Sequence, residues 1–423
     1  MKILCRQENL RNGVDIVEHA VAPGDSESLP GSAGILLEAS DNQLILSASD
    51  QKVGIRCGLG AIVEAPGKLL VDGRYFAQVV RRLPETDVTL EMLPEENVVL
   101  LRAGNVRLKL QVLNVGEFPG VQLPAGAPDF VTSAHDLQDM IRHTLISVGP
   151  QEDRRPFISG ILMEYEAGTL NLVSTDGNRL AVCTKEVVSA GEEEEEGAGD
   201  SFETELFDSD LDMALPERLR AVVPGRTMNL VSRILGGLGE KSKVNCKIGQ
   251  NTITFWNESM VITARLIEGD YPDYTRFTDN LHNYALTLSR VELLAASDRA
   301  GIMTKKGSAV MFLTAEGNRL LVSSREPELG HIDEELILPD TVENLTRPSV
   351  DDETTGFSGE SRTVTRLFGA YQARFFIDAL RVMHTEEVVL ELAESNGPAL
   401  LKSPDSNFFL YLVMPVKISE GEI

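Results

Sequence analysis

"GILMEYEAGTLNLVSTD" at residues 160–176 is a pair of alternating runs separated by Ala-Gly. That pattern is a β-hairpin whose strands send apolar residues toward a core. Reading outward, the same unit occurs as "GILLEASDNQLILSASD" at 34–50 and as "AVMFLTAEGNRLLVSSR" at 309–325. Each hairpin follows an amphipathic helical stretch: "NLRNGVDIVEHAV" (9–21), "DLQDMIRHTLISV" (136–148) and "ELLAASDRAGIM" (292–303). Each leads, through further strands, to a second helical stretch: "DGRYFAQVVRRLP" (72–84), "PGRTMNLVSRIL" (224–235) and "GAYQARFFIDALRVMH" (369–384). A unit of roughly 120 to 140 residues exceeds any solenoid repeat and can hold its own core. The expected fold class is α+β: three tandem similar domains, 1–125, 126–280 and 281–423, each built of helices and antiparallel strands. Three such domains in line make a curved array or part of a ring.

Two of the repeats share a Gly-acidic-aromatic-Pro motif at the end of an alternating strand, "NVGEFPGVQ" (114–122) and "LIEGDYPDY" (266–274). Set within the threefold order, the motif reads as a domain-end turn and not as a duplicated active site.

The formal charge of −26 argues against a nucleic-acid partner on its face. Its distribution matters more. Acidic residues crowd 190–212, with "EEEEE" at 192–196, and a second polar stretch covers 347–363; both read as solvated insertions. Four separated cysteines without CxxC spacing read as buried free thiols, and six scattered histidines without HExxH support no metal. "STDGNRLAV" (174–182) reads as a turn, and "GGLGEKS" (236–242) has Glu240 where a phosphate loop needs glycine. No catalytic motif or cofactor signature stands out. No apolar run is long enough to span a membrane and "MKILCRQENL" carries no apolar signal core, so the expected location is cytoplasmic.

On these repeats, and on "RPFISGILMEYEAGTLNLVSTDGNRLAV" (155–182), "EGDYPDYTRF" (268–277), "SSREPELG" (323–330) and "LYLVMPVKI" (410–418), the sequence resembles the bacterial DNA sliding clamps, the beta subunits of the replicative polymerase. The resemblance implies a head-to-tail homodimeric ring, each domain with helices on one side, lining the hole, and antiparallel sheets on the other. It implies a non-catalytic processivity factor that encircles duplex DNA and tethers the replicative polymerase catalytic subunit. Other implied partners are the clamp loader and repair polymerases, mismatch-repair protein or ligase, through short peptide motifs. The alternative is an acidic scaffold of the same fold that does not encircle DNA.

Carried across residue by residue, the family's peptide pocket falls on Ile158, Thr175, Gly177, Asn178, Arg179, Leu180, Pro272, Arg276, Phe277, Pro398, Leu412, Val413, Met414, Pro415, Val416 and Lys417. Asn178 stands where the family commonly has histidine, Val416 where methionine is frequent and Lys417 where arginine is usual, which bears on partner preference. The second helical stretches hold Arg74, Arg81, Arg82, Arg226, Arg233, Arg374 and Arg381 against Asp72 and Asp378, a net +5 in an acidic protein. With Arg155 and Phe157 these are the expected DNA-facing residues, while Glu152 and Ser26 depart from the family's contacts. "NVRLKLQVL" (105–113) alternates Leu108 and Leu110 with Arg107 and Lys109, as an edge strand joining a neighbouring chain would. By resemblance its apolar counterpart across the dimer is Ile302 and Met303 in the third domain.

Overall fold

The computed structural model of the chain describes residues 1–23, 31–151, 154–189, 218–278, 284–305, 307, 309–340, 342, 365–404 and 407–418. The expected insertions at 190–212 and 347–363 fall outside the described residues, as do Ser26 and Glu152. The described helices are α1 (Gln7–Val17), α2 (Gly73–Val80), α3 (Ala134–Leu145), α4 (Gly225–Leu235), the short α5 (Thr275–Thr278), α6 (Arg290–Gly301) and α7 (Ala373–Val382).

Local chemistry sets these helices. Asp72 starts α2 by accepting the Tyr75 N–H at 2.7 Å, and the Ser289 hydroxyl accepts the Glu292 N–H at 3.3 Å at the start of α6. Each cap satisfies a backbone donor that the first helical turn leaves unpaired. Helical spacing then sorts the faces. Phe76, Ala77 and Val80 of α2 are buried, as are Met228, Val231 and Leu235 of α4 and Phe376, Ala379 and Leu380 of α7. The opposite faces expose Arg74 and Arg81, Arg226 and Arg233, and Arg374 and Arg381.

The three hairpins form at the expected positions, with strands Gly34–Ser40 and Gln43–Ser49, Gly160–Glu166 and Thr169–Thr175, and Val310–Glu316 and Arg319–Glu326. The first turns through Asp41 and Asn42, both at positive φ, the backbone form that matches the twist of paired strands.

Two compact units organise these elements, Met1–Gln138 with Glu166–Gly168 and Val187–Ile267, and Asp139–Tyr165 with Thr169–Glu186 and Glu268–Ile423. In the first unit, fourteen strands form one continuous antiparallel sheet. Within it Val53–Gly60, from the first repeat, pairs with Met260–Arg265 from the second, Val53 opposite Ala264 and Cys57 opposite Met260. In the second unit, Arg179–Glu186 pairs with Phe409–Val413, Arg179 opposite Val413 and Cys183 opposite Phe409. There Ala399–Lys402, Glu387–Leu392 and Tyr284–Ser289 continue the same sheet, and a four-stranded sheet runs Gly330–Ile337, Arg319–Glu326, Val310–Glu316, Arg366–Gln372. Strands of successive repeats therefore share ladders, and the stretch 126–280 is divided between the units.

All four cysteines are free and buried. Burial pushes the Cys5 thiol up to about 12 and Cys57 up to about 11, which leaves both protonated and unreactive at neutral pH.

Candidate functional site

Within the second unit the turn after Thr169–Thr175 faces the motif at 271–277. Asp176 shapes that turn: its Oδ1 accepts the N–H groups of Asn178 (2.9 Å) and Arg179 (3.2 Å), and Gly177 sits at φ +90°, a conformation glycine adopts without steric cost. "STDGNRLAV" is thus the expected turn. From the other side, a 3₁₀ turn at Pro156–Ser159 presents Phe157 and Ile158. A Cβ at Gly149 would lie 2.0 Å from Ile158 Cγ2, so only glycine lets the chain pass beneath that side chain.

Together these segments enclose a pocket of about 330 Å³. Its apolar wall includes Ile158, Leu180, Pro272, Phe277, Leu412 and Met414, and Thr175, Gly177 and Arg179 add polar surface, so nine of the residues carried across by resemblance are brought together in one cavity. Arg155 and Phe157, expected at the DNA, also line it, and so do Tyr271 and Tyr274, which sequence reasoning missed. Both tyrosines belong to the quoted aromatic-Pro motif; reading it only as a turn hid their second use. Tyr271 packs edge-on to Phe157 with ring centroids 5.5 Å apart, and Tyr274 donates its hydroxyl to the buried Glu164 carboxylate at 2.8 Å.

The remaining expected pocket residues do not line the cavity. Val413 is fully buried in the sheet. Asn178 accepts the Met414 N–H at its carbonyl (2.8 Å), and Arg276 is 80% exposed beside Asp273. Pro398 is half-buried. Beyond Met414, the Val416 N–H donates to the Ala370 carbonyl at 2.8 Å and the Asn396 amide donates to the Val416 carbonyl at 2.8 Å. Pro415, half-buried, and Lys417, exposed, flank that anchor.

Arg179 is 7% exposed. Its guanidinium donates to Asp176 at 2.9 Å, Asp378 at 2.7 Å and the Tyr411 hydroxyl at 3.2 Å, and lies over the Phe375 ring. Burial opposes its charge, but Tyr411, Asp378 and Asp176 outweigh burial and raise its pKa. Arg179 is a strut that holds the pocket floor. The wall is apolar with a polar edge, the surface chemistry that complements an apolar segment carrying a few polar groups.

The arginines fall into two groups. Arg81 is held by Asp15 and Glu18, Arg381 by Asp298 at 2.9 Å, and Arg374 lies 3.7 Å from Asp378. Arg74, Arg82, Arg226 and Arg233 are exposed and make no ion pair among the described residues.

Residues 106–111 of the strand Val106–Leu113 have a ladder neighbour on one side only among the described residues: Val98–Ala103 pairs along its length, whereas Gly67–Asp72 reaches only Val112 and Leu113. Leu108 is half-buried at this edge and Leu110 is buried. Ile302, just past α6, is 71% exposed, and Met303 is half-exposed.

Known proteins share this architecture. The family model for the DNA polymerase III beta subunit, N-terminal domain, matches residues 1–124, and its central-domain counterpart matches 132–199 and 196–273. The chain belongs to the DNA polymerase III beta subunit family. The beta sliding clamp of Synechocystis is 24% identical over 99% of this chain and 100% of its own length; that of Pseudomonas aeruginosa is 26% identical over 93% and 94%. Among solved structures, a putative DNA polymerase III beta subunit from Eubacterium rectale superposes with a TM-score of 0.80 at 25% identity, covering 99% of this chain and 100% of that one. A P. aeruginosa sliding clamp bound to griselimycin has a TM-score of 0.81 at 23% identity, with the same coverage. The chain has the clamp fold, and its role in the family is that of a DNA sliding clamp, a processivity factor without catalysis of its own. No described helix is long and apolar enough to cross a membrane.

Proposed function

We propose that two copies of the chain, each contributing three clamp domains (1–125, 126–280 and 281–423), close head to tail around duplex DNA in the cytoplasm. In this reading the pocket receives short peptide segments of the replicative polymerase, the clamp loader and repair proteins. The observation that carries it is the pocket: an apolar cavity braced by Arg179 in a protein of net charge −26. A ring held by topology needs only a mildly cationic bore, because phosphate contacts carry no sequence information.

Met414 is 39% exposed at the pocket wall. Met414→Ala is expected to weaken a polymerase-derived peptide by roughly 1 to 3 kcal/mol, about 5- to 150-fold, without affecting dimerisation. Calorimetry giving unchanged affinity removes Met414 from the site.

The unpaired arginines are the groups that would meet phosphate. Changing Arg74, Arg82, Arg226 and Arg233 together to Gln should flatten the salt dependence of DNA binding by about one unit of slope for each phosphate no longer neutralised. Arg81→Gln alone should change it little, since Asp15 and Glu18 already neutralise that side chain. Equal slopes for the quadruple variant and the parent would place the DNA elsewhere.

A further inference from the structure

The two aromatic-Pro motifs each line a cavity, and the first cavity has had no role so far. In the first unit, Pro119, Val121 and Gln122 line a pocket of about 540 Å³ together with Lys52, Gly54 and Arg265. Hydrogen bonding shows that it is built like the pocket at Met414. Asp50 Oδ1 accepts the N–H groups of Lys52 (2.9 Å) and Val53 (2.7 Å), as Asp176 does for Asn178 and Arg179. The Arg265 N–H donates to the Lys52 carbonyl at 2.9 Å, as the Met414 N–H does to Asn178. Gly54 stands opposite Thr263 as Leu180 stands opposite Leu412. Gln51 holds φ +70° where Gly177 holds +90°.

The frame is the same and the chemistry is inverted. Arg265 replaces Met414, Thr263 replaces Leu412 and Lys52 replaces Asn178. Lys52 and Arg265 are exposed and form no ion pair among the described residues, and no carboxylate lines the cavity. Beyond Gln122 an adjoining pocket adds Lys247, again with no acidic lining residue. Two cations without an ion pair in one cavity, Lys52 and Arg265, are contrary to the bias of a chain with 65 Asp and Glu against 39 Lys and Arg.

We propose that this pocket is a second docking site, for an extended acidic peptide of a partner protein, its carboxylates meeting Lys52 and Arg265 while Pro119 and Val121 supply an apolar floor. The site is independent of ring closure and of the pocket at Met414.

The probe is a fluorescein-labelled hexaglutamate peptide, titrated by anisotropy into the full chain at low and physiological salt, with hexaglutamine and inorganic phosphate as comparators. Saturable hexaglutamate binding is expected. It should weaken at least tenfold in Lys52→Ala with Arg265→Ala, stay unchanged in Met414→Ala, and be absent for hexaglutamine. Circular dichroism and retained binding of an apolar peptide at the other pocket check that the double variant is folded. Hexaglutamate binding that survives the double substitution, or none at low salt, overturns the proposal. Competition by millimolar phosphate as strong as by the peptide would reduce the site to a general anion site and overturn the peptide assignment. Tighter binding after deletion of residues 190–212 would show that the chain's own acidic stretch occupies the site, which also overturns a partner peptide as its occupant.

Discussion

Ile302→Asp combined with Met303→Asp is expected to yield a folded monomer that binds peptide and fails to stay on circular DNA. Ile302 is 71% exposed directly after α6, which leaves its apolar side chain available to a second surface. Nearby Lys305 is exposed and paired with Glu328, so the segment lies at the surface and tolerates charge in the isolated chain. The same charges buried without partners at an interface cost on the order of several kcal/mol, and a ring closed by two identical contacts incurs that cost twice. The open edge at 106–111, with Arg107 and Lys109 exposed, is the proposed opposing surface. An open edge of this kind is a template for a strand from another chain. On the proposed facing side Gly330–Ile337 ends the four-stranded sheet; Glu334 and Glu335 there are already held by Arg299 and Arg319, as Lys109 is by Glu96, so Arg107 and Asp333 are the charges of opposite sign left to meet. Light scattering across a dilution series reads the result. A double variant that stays dimeric at low concentration would move the interface away from Ile302.

Arg179→Ala is expected to destabilise the second unit by about 2 to 4 kcal/mol. The substitution removes the shared partner of Asp176 and Asp378, whose side chains are only 16% and 25% exposed. Breaking a buried pair strands the remaining charge, at a cost of about 3 to 5 kcal/mol when burial is complete; partial access of water to both carboxylates lowers that figure. Arg179→Lys should recover only part of the loss, because an ammonium cannot reach two carboxylates and a hydroxyl with the guanidinium's planar fork. Arg276 provides the contrast: it contacts Asp273 at 3.1 Å but is 80% exposed. Its replacement by Ala should shift stability by less than about 0.5 kcal/mol. Urea denaturation followed through Tyr and Phe signals compares the two. Similar midpoints for both variants would show that Arg179 does not brace the pocket.

The hairpins and both sets of helices were legible because side-chain alternation and helical spacing are local: Thr169–Thr175 and Gly225–Leu235 announce themselves from their own residues. Capping residues such as Asp72 act within three positions. The apolar pocket was legible through the family resemblance at Leu180, Pro272 and Met414. Tyr274 was not, since its value depends on Glu164, 110 positions away, accepting its hydroxyl. Nor was the separation of Arg81 from Arg82, adjacent in sequence, one held by Asp15 and Glu18 and the other unpaired among the described residues.

By itself, then, the sequence determined the threefold order, the identity of the elements and the arginine-bearing helix faces, all of which follow from periodicities a few residues long. Tertiary structure alone decided which strands of one repeat join the next, and with them that one aromatic-Pro motif borders an apolar pocket and the other a cationic one. The physical reason is register. The pairing of Arg179 with Val413 and of Val53 with Ala264 joins residues more than two hundred positions apart, so no local pattern encodes whether Met414 or Arg265 closes the cavity.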